Sequence, residues 1–406
     1  MSASAPGRLD RNEPISPPPR RVVFVSNDIV PGCDLPVAAP GLRVHGLATG
    51  LAARGHAVTT VMVKGPLDRQ WRGPVPPPMP PDTLALGADR IGEYLRAQAP
   101  SIVVLTNANQ VDQLLEHDGN RYVLDFFAPK LLELVYEGAA DTAYPVAELQ
   151  AHRARKLRGI ERADGFIVNG RKKLPYFLAW LMQTDRDVRS VPLEEVGMCL
   201  PAAFSDHLAT GPGPLRFAIA GYLQGWSVPG PWLRGLEPHL VAGECTLDAI
   251  LPEHWGGASG FENPELEALL QSAGVHLHDA MTFPDYKRFL GNRDVVLDLF
   301  DRTRERELAM VTRTIVALCC GKPVVHPPFT EVSPLIEEFS AGWLVDPADE
   351  QAVARTLAEI IGDPELVTER ARGARRLWAA RLDPSEVVQG LERVIEQIHS
   401  VPEYVP

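Results

Sequence analysis

The sequence has few cysteines: five in 406 residues, an odd number, with no Cys-x-x-Cys pair. That excludes a disulfide-stapled scaffold. Cys33, Cys199, Cys245, Cys319 and Cys320 read as reduced thiols of a cytosolic protein, with Cys319 and Cys320 as residues packed within a helix. No run of about 18 apolar residues occurs, so no membrane-crossing helix is expected, and only peripheral membrane contact stays open. The first residues, MSASAPGRLDRNEPISPPPRR, lack the apolar stretch of a secretory leader. Their Pro, Ser and charge content reads as a disordered lead-in over residues 1–20. Positive charge is also in deficit. The formal net charge is −12, which disfavours nucleic acid and anionic membrane as main partners. Any phosphate bound must therefore meet a local cluster of donors. A GxGxxG fingerprint is missing, and the second apolar run, VTTVMVKG, ends without an acidic residue, so a dinucleotide cofactor is poorly supported. His276 and His278 in HLHD share one side of a strand, but one strand face is a poor four-ligand cage. Neither a metal nor a cofactor is expected.

What is present is alternation. Short apolar runs at Val22–Ser26, Val58–Val63, Ile102–Thr106, Tyr122–Asp125 and Phe166–Asn169 are separated by helical stretches such as Leu42–Arg54, where Leu47 and Leu51 share a face with Ala48. Continuous rather than alternating apolar runs suit parallel strands covered on both faces. The segment GPGPLR (211–216) reads as a boundary. The pattern restarts at Phe217–Ala220, Val275–His278, Val295–Phe300 and Pro323–His326. The spacing predicts an α/β chain of two doubly wound parallel-sheet domains, at 21–210 and 211–384. Residues 385–406 read as a C-terminal helix and tail packing back on the first domain. A stiff, Pro-rich excursion, PLDRQWRGPVPPPMPPD (66–82), interrupts the first domain.

Open parallel sheets bind ligands beyond the carboxyl ends of their strands. The Gly/Pro-rich loop from Asn27 to Gly41 is predicted at such an end, before a small-residue helix. Gly41 there allows close backbone approach, Arg43 adds charge, and the helix start favours an anion. The same loop also reads as a plain connection between two elements. After DVVLDLF comes DRTRERELAMVTRTIVALCCGKPVV, with Arg302, Arg304, Arg306 and Arg313 beside Glu305 and Glu307. Planar guanidinium donors match phosphate oxygens, and backbone N–H groups near Met310, Val311 and Thr312 would add the helix-terminus effect. The run equally fits a solvated, self-neutralising Arg/Glu face.

The segment GLRVHGLATGLAARGHAVTTV resembles the first loop, helix and second strand of family 4 glycosyltransferases with the GT-B fold. The resemblance extends over most of the chain: YVLDFFAPKLLEL, ERADGFIVNGRKKLPYFLAWL, FAIAGYLQGWSVPGPWL and, most specifically, ALCCGKPVVHPPFTEVSPLIEEFSAGWLVDPADEQAVARTLAEII. It implies two Rossmann-like domains facing a central cleft, with the acceptor mainly on the first and a nucleotide-sugar donor mainly on the second. It also implies transfer of a sugar to a hydroxyl or amine without a bound metal, the leaving diphosphate being stabilised by cations. The implied donor-binding residues are Gly41, Arg43, Gly221, Gln224, Trp226, Arg302, Arg304, Glu305, Glu307, Met310, Val311, Thr312 and Thr314. The candidates for catalysis are Arg313 on the leaving group and His45 or Asp125 as base. Each base candidate has a structural alternative: Asp125 as a loop-fixing carboxylate, His45 as a partly buried helix residue.

The sequence also departs from the family pattern. Counting back from Gly321 puts Val316 where many members carry the second of two glutamates spaced eight apart, and Leu308 at the first, with Glu305 and Glu307 alongside. VTRTIVAL resembles a subgroup with an RTR-like segment. The loop GYLQGWSVPG lacks the expected cation. Two further readings follow: a GT-B-like partner that does not catalyse, and a transferase acting on a non-sugar cyclitol. The Ala, Arg, Pro and Gly bias suggests a GC-rich bacterial gene, which suits surface-polysaccharide or specialised-metabolite synthesis. A homodimer stays open.

Overall fold

The computed structural model describes residues 19–113, 118–136, 144–205, 213–222, 230–252 and 264–400. Nearly all of the proposed lead-in therefore lies outside the described residues. Thirteen described strands form two sheets. The first contains β1 (Arg21–Ser26), β2 (Ala57–Val63), β3 (Thr83–Leu86), β4 (Ile102–Thr106), β5 (Arg121–Phe126), β6 (Gly165–Val168) and β7 (Leu193–Glu195), in the order β3-β2-β1-β4-β5-β6-β7. The second contains β8 (Leu215–Ala220), β9 (Cys245–Ile250), β10 (Val275–Leu277), β11 (Val295–Leu297), β12 (Val324–His326) and β13 (Gly342–Leu344), in the order β10-β9-β8-β11-β12-β13. Every pairing is parallel. The expected doubly wound α/β architecture is thus present twice.

The central strands explain why. Val22, Val23, Phe24 and Val25 of β1 are all fully buried. They lie in register with Val58–Val61 of β2 on one side and Ile102–Leu105 of β4 on the other. A strand that is apolar at successive positions can bury both faces only between helices, and parallel connections supply those helices. The strands not read from the sequence are mostly edge or near-edge elements: β3, β7 and β13 are three or four residues long. β9 escaped because Thr246 and Asp248 break its apolar run. The structure seats Asp248 on His278 Nε2 at 2.6 Å and Arg293 Nη2 at 2.9 Å.

The helix Ala39–Ala53 owes its small residues to backbone contact. A Cβ at Gly41 would stand 1.8 Å from the Ile29 carbonyl oxygen, one at Gly46 would stand 1.9 Å from that of Cys199, and one at Gly50 would stand 2.3 Å from that of Pro384. Three separate chain segments clasp one helix. Gly41 therefore serves approach of the chain to itself, not approach to a ligand as the sequence suggested. The Pro-rich excursion begins as a helix, Lys64–Gln70.

A common apolar cluster joins the two sheets. Leu42 and Phe127 pack with Phe283, Ile315 and Val316. Polar bolts reinforce this seam. Lys172 Nζ donates to the Phe329 and Thr330 carbonyls at 2.7 and 3.2 Å, and the Lys173 amide donates to Glu331 Oε1 at 3.1 Å. The helix Gln389–Ser400 returns to the first sheet, where Val394 and Ile398 cover Gly165 of β6. Gly41→Ala is expected to destabilise the fold by about 2 kcal/mol or more, because carbonyl backbone cannot yield to an added methyl. Urea denaturation checks this, and an unchanged midpoint would refute the packing assignment.

Candidate active site in the cleft between the sheets

The carboxyl ends of both sheets open onto one cleft of about 510 Å³. Asn27 and Asp28 follow β1, Asn107 follows β4, Asn169 follows β6, and Gly221 and Tyr222 follow β8; all line it. Position follows from topology: in each sheet the strand order reverses beside the first strand, which leaves a crevice at the carboxyl edge. Five cationic side chains (Arg69, Lys130, Lys173, Arg306 and Arg313) line the cleft against three acidic ones (Asp28, Glu133 and Glu305). An acidic chain thus gathers a local excess of positive charge.

The second-sheet wall is built around the helix Thr312–Cys319. Its first turn carries no acidic residue and no side-chain cap, and Met310, Val311, Thr312 and Arg313 line the cleft. Unsatisfied N–H groups and the helix dipole make such an end attractive to anions. Arg313 is anchored through Nε to Asp298 Oδ1. Gly221 lets its side chain lie close, since a Cβ there would stand 2.9 Å from Arg313 Cδ. Thr314 is fully buried beneath the cleft and donates to the other oxygen of Asp298. His326 continues the chain, 3.1 Å from Thr314 Oγ1 and 2.8 Å from Thr330 Oγ1. Burial pulls the His326 pKa down to about 4, which keeps it neutral. Thr314 is therefore a support for Arg313 and not a ligand contact.

The four arginines divide. Arg306 reaches the cleft, paired with Glu305, its Nη2 2.7 Å from Oε1. Burial pushes the Glu305 carboxyl above its ordinary value, opposed by Arg306. The Arg306 and Arg313 guanidiniums lie 5.3 and 5.6 Å from the Phe300 ring centre. Arg302 and Arg304 instead point away. They pair with Glu307 at 2.7 and 3.3 Å and line a separate shallow depression with Lys172 and Asp346. For Arg302, Arg304 and Glu307 the solvated, self-neutralising reading holds. Glu305 with Arg306 forms a buried wall.

The first-sheet residues named from the sequence are displaced inward. Arg43 and Asp125 are both fully buried and face each other, Nε to Oδ2 at 2.9 Å and Nη2 to Oδ1 at 3.2 Å. Arg43 Nη1 also donates to the Gly197 carbonyl. Neither lines the cleft: the pair ties the first helix to β5, and with both oxygens engaged Asp125 is poorly placed to act as a base. His45 is also absent from the lining, and burial, with Lys287 adding repulsion, brings its pKa to about 4. Gln224 and Trp226 lie outside the described residues. Val316 does line the cleft, so an apolar side chain stands at the position where the resemblance in the sequence led to the expectation of a glutamate.

Sequence reasoning missed Asp28, Arg69, Lys130, Glu133, Lys173 and the asparagines. Asp28 is 7% exposed, and burial raises its pKa to about 7. Asn107 adopts a left-handed backbone, φ 59°, which Asn tolerates better than most residues, and its Oδ1 accepts from the Ala128 amide at 3.1 Å. The clue in the sequence was the polar residue directly after each apolar run: SND, TNAN and VNG.

Solved structures share this fold. Sucrose-phosphate synthase from Thermosynechococcus elongatus superposes with a TM-score of 0.65 at 14% identity, over 94% of this chain and 99% of that one. WaaG, a glycosyltransferase involved in lipopolysaccharide biosynthesis, gives 0.59 at 12% identity, over 92% and 99%. An alpha-glucosyltransferase in complex with UDP and a 13-mer DNA gives 0.60 at 11% identity, over 93% and 100%. The chain has the GT-B fold. No protein-family model matches the sequence, and no curated protein matches it. The DNA-bound GT-B structure also removes support for excluding nucleic acid on net charge alone. No described helix is long and apolar enough to cross a membrane.

Arg43→Ala would leave Asp125 charged and unpaired in the interior. Such a loss costs about 3–5 kcal/mol, so a large fall in the denaturation midpoint is expected. A midpoint within error of the parent would overturn the anchoring role.

Proposed function

We propose that the protein is a glycosyltransferase that moves a sugar from a nucleotide-diphosphate donor to an acceptor hydroxyl or amine. One observation carries the reading: the uncapped start of the helix Thr312–Cys319 opens on the cleft with Arg313 beside it. The diphosphate would sit there, opposite the first-sheet wall that receives the acceptor. As the bond from sugar to diphosphate breaks, negative charge grows on the leaving oxygens. Donors fixed in advance stabilise that charge without reorganising. Asp298, Thr314 and His326 hold Arg313 in place, and Phe300 supports it from beneath. The reading is of a metal-independent enzyme, since cations and helix N–H groups can themselves neutralise the leaving group, and, from the composition of the sequence, of a cytoplasmic bacterial one.

One observation favours a second reading. Val316 lines the cleft and cannot accept a hydrogen bond from a ribose hydroxyl. A GT-B-like binding partner without catalysis, or a transferase acting on a cyclitol, would fit that change. Calorimetry against UDP, GDP, TDP, CDP and ADP separates the readings, because micromolar binding of one supports the transferase and silence from all five supports the partner. With the preferred donor, Arg313→Ala is expected to lower kcat at least tenfold, in line with loss of one leaving-group donor worth about 3 kcal/mol. Unchanged turnover would remove Arg313 from the mechanism.

A further inference from the structure

The second domain caps a helix of the first. The helix Lys173–Leu181 starts without an acidic residue in its first turn and without a side-chain cap of its own. Its cap comes instead from Glu331, 158 positions along the chain from Lys173. The Lys173 amide donates to Glu331 Oε1 at 3.1 Å, and the Lys172 amide donates to the same carboxylate. A carboxylate at a helix start satisfies open N–H groups and suits the helix dipole. Gly170 makes room for it, since a Cβ there would stand 2.5 Å from Glu331 Oε1. Glu331 is 8% exposed and does not line the cleft, although Asn169 and Lys173 on either side of Gly170 do.

The groups behind Glu331 lead back to the donor wall. Its own amide donates to the carbonyl of Ala309, at 3.1 Å, and Ala309 lines the cleft three residues before the helix Thr312–Cys319 begins. A second route runs through side chains. Thr314 gives its one hydroxyl proton to Asp298 Oδ2, so His326 Nδ1, 3.1 Å from Thr314 Oγ1, is the donor between them. The ring is neutral, so its Nε2 is an acceptor, and Thr330 Oγ1 donates to it at 2.8 Å. Thr330, His326, Thr314 and Asp298 are all buried. Every proton in this line points away from the neighbour of Glu331 and toward Asp298, the carboxylate that anchors Arg313. Turning any one member breaks the bond of the next, and bonds in such a line strengthen one another.

We infer that Glu331 is a positioning residue: its cap ties the first-sheet wall of the cleft to the second-sheet wall, and the line Thr330–His326–Thr314–Asp298 couples that tie to Arg313. This rests on the transferase reading and names a residue that sets the placement of its two walls. Lys172 Nζ, donating to the Phe329 and Thr330 carbonyls, holds the same segment from the first domain. An anion on Arg313 restrains Asp298 and, through the line, the segment that carries Glu331. Less freedom is then lost when the cap forms. Linkage makes the effect mutual: the cap raises nucleotide affinity by the factor by which nucleotide strengthens the cap.

The test uses the full chain with UDP, GDP, TDP, CDP and ADP, each titrated by calorimetry and followed by hydrogen–deuterium exchange over residues 170–181. The nucleotide that binds is expected to slow exchange there at least about threefold in the parent and not in Thr330→Val, which keeps the shape and removes the hydroxyl. Glu331→Ala is expected to weaken nucleotide binding at least about fivefold, the low end of coupling between sites, although Glu331 does not line the cleft. Glu331→Gln keeps an acceptor oxygen in place and is expected to stay within about twofold of the parent. Val394→Ala, a cavity on the returning helix, controls for lost stability alone and is expected to leave affinity unchanged. Should Glu331→Ala not fold, Thr330→Val carries the affinity test with the same loss expected. Parent affinity in Glu331→Ala, an equal loss in Glu331→Gln or Val394→Ala, or exchange indifferent to nucleotide would each refute the positioning role while nucleotide binding, and so the transferase reading, stands. Silence from all five nucleotides would fail the transferase reading and this inference with it.

Discussion

The cleft of this molecule depends on the direction of its strands. Parallel strands send every carboxyl end to the same edge of a sheet, and both sheets have their reversal of order next to the first strand. When two such edges face each other, the residues that follow the strands become the walls of one cleft. The loops after β1, β4 and β6 supply amides and a carboxyl, and the region after β11 supplies cations and a helix start. The apolar seam of Leu42, Phe127, Phe283 and Ile315 keeps the walls in apposition.

Charge at the cleft and behind its walls is arranged by pairs that differ in accessibility. Arg43 with Asp125 is sealed and holds a helix to a strand. Arg306 with Glu305 and Arg313 with Asp298 are anchored on one side and open to the cleft on the other. Burying an ion pair is seldom a net source of stability, because desolvation offsets the attraction. Its value here is orientation: a guanidinium held by a carboxylate and resting on Phe300 keeps its remaining N–H groups at fixed positions. A donor that need not move when charge develops is worth more than a mobile one.

Several residues were legible by type but not by role. The sequence offers Arg43 as a ligand contact and Asp125 as either a base or a loop-fixing carboxylate; in the structure each engages the other. They lie 82 positions apart, so no local pattern could show that each is the other's partner. The run of Arg302, Arg304, Arg306 and Arg313 reads in the sequence either as one phosphate-binding cluster or as a solvated Arg/Glu face. A short helical turn, Arg304–Glu307, places neighbouring side chains on different sides, so Arg306 enters the cleft while Arg304 faces solvent with Glu307. Asp28 lies within the Asn27–Gly41 loop without a local mark of its own, because its distinguishing property is burial, which belongs to its surroundings.

Local order along the chain specifies the class of the fold. Periodic apolar runs, their order and the small-residue helix are local properties, and parallel α/β packing is the arrangement that buries them. It also marked the strand ends where a ligand would bind, through the polar residues after each run. Which charges are spent within the protein and which remain for a ligand is set by the folded chain. That choice depends on contacts between distant segments, such as Asp298 with Arg313, Lys173 with Glu331 and Ala128 with Asn107, and electrostatic partnership acts through space without regard to order along the chain.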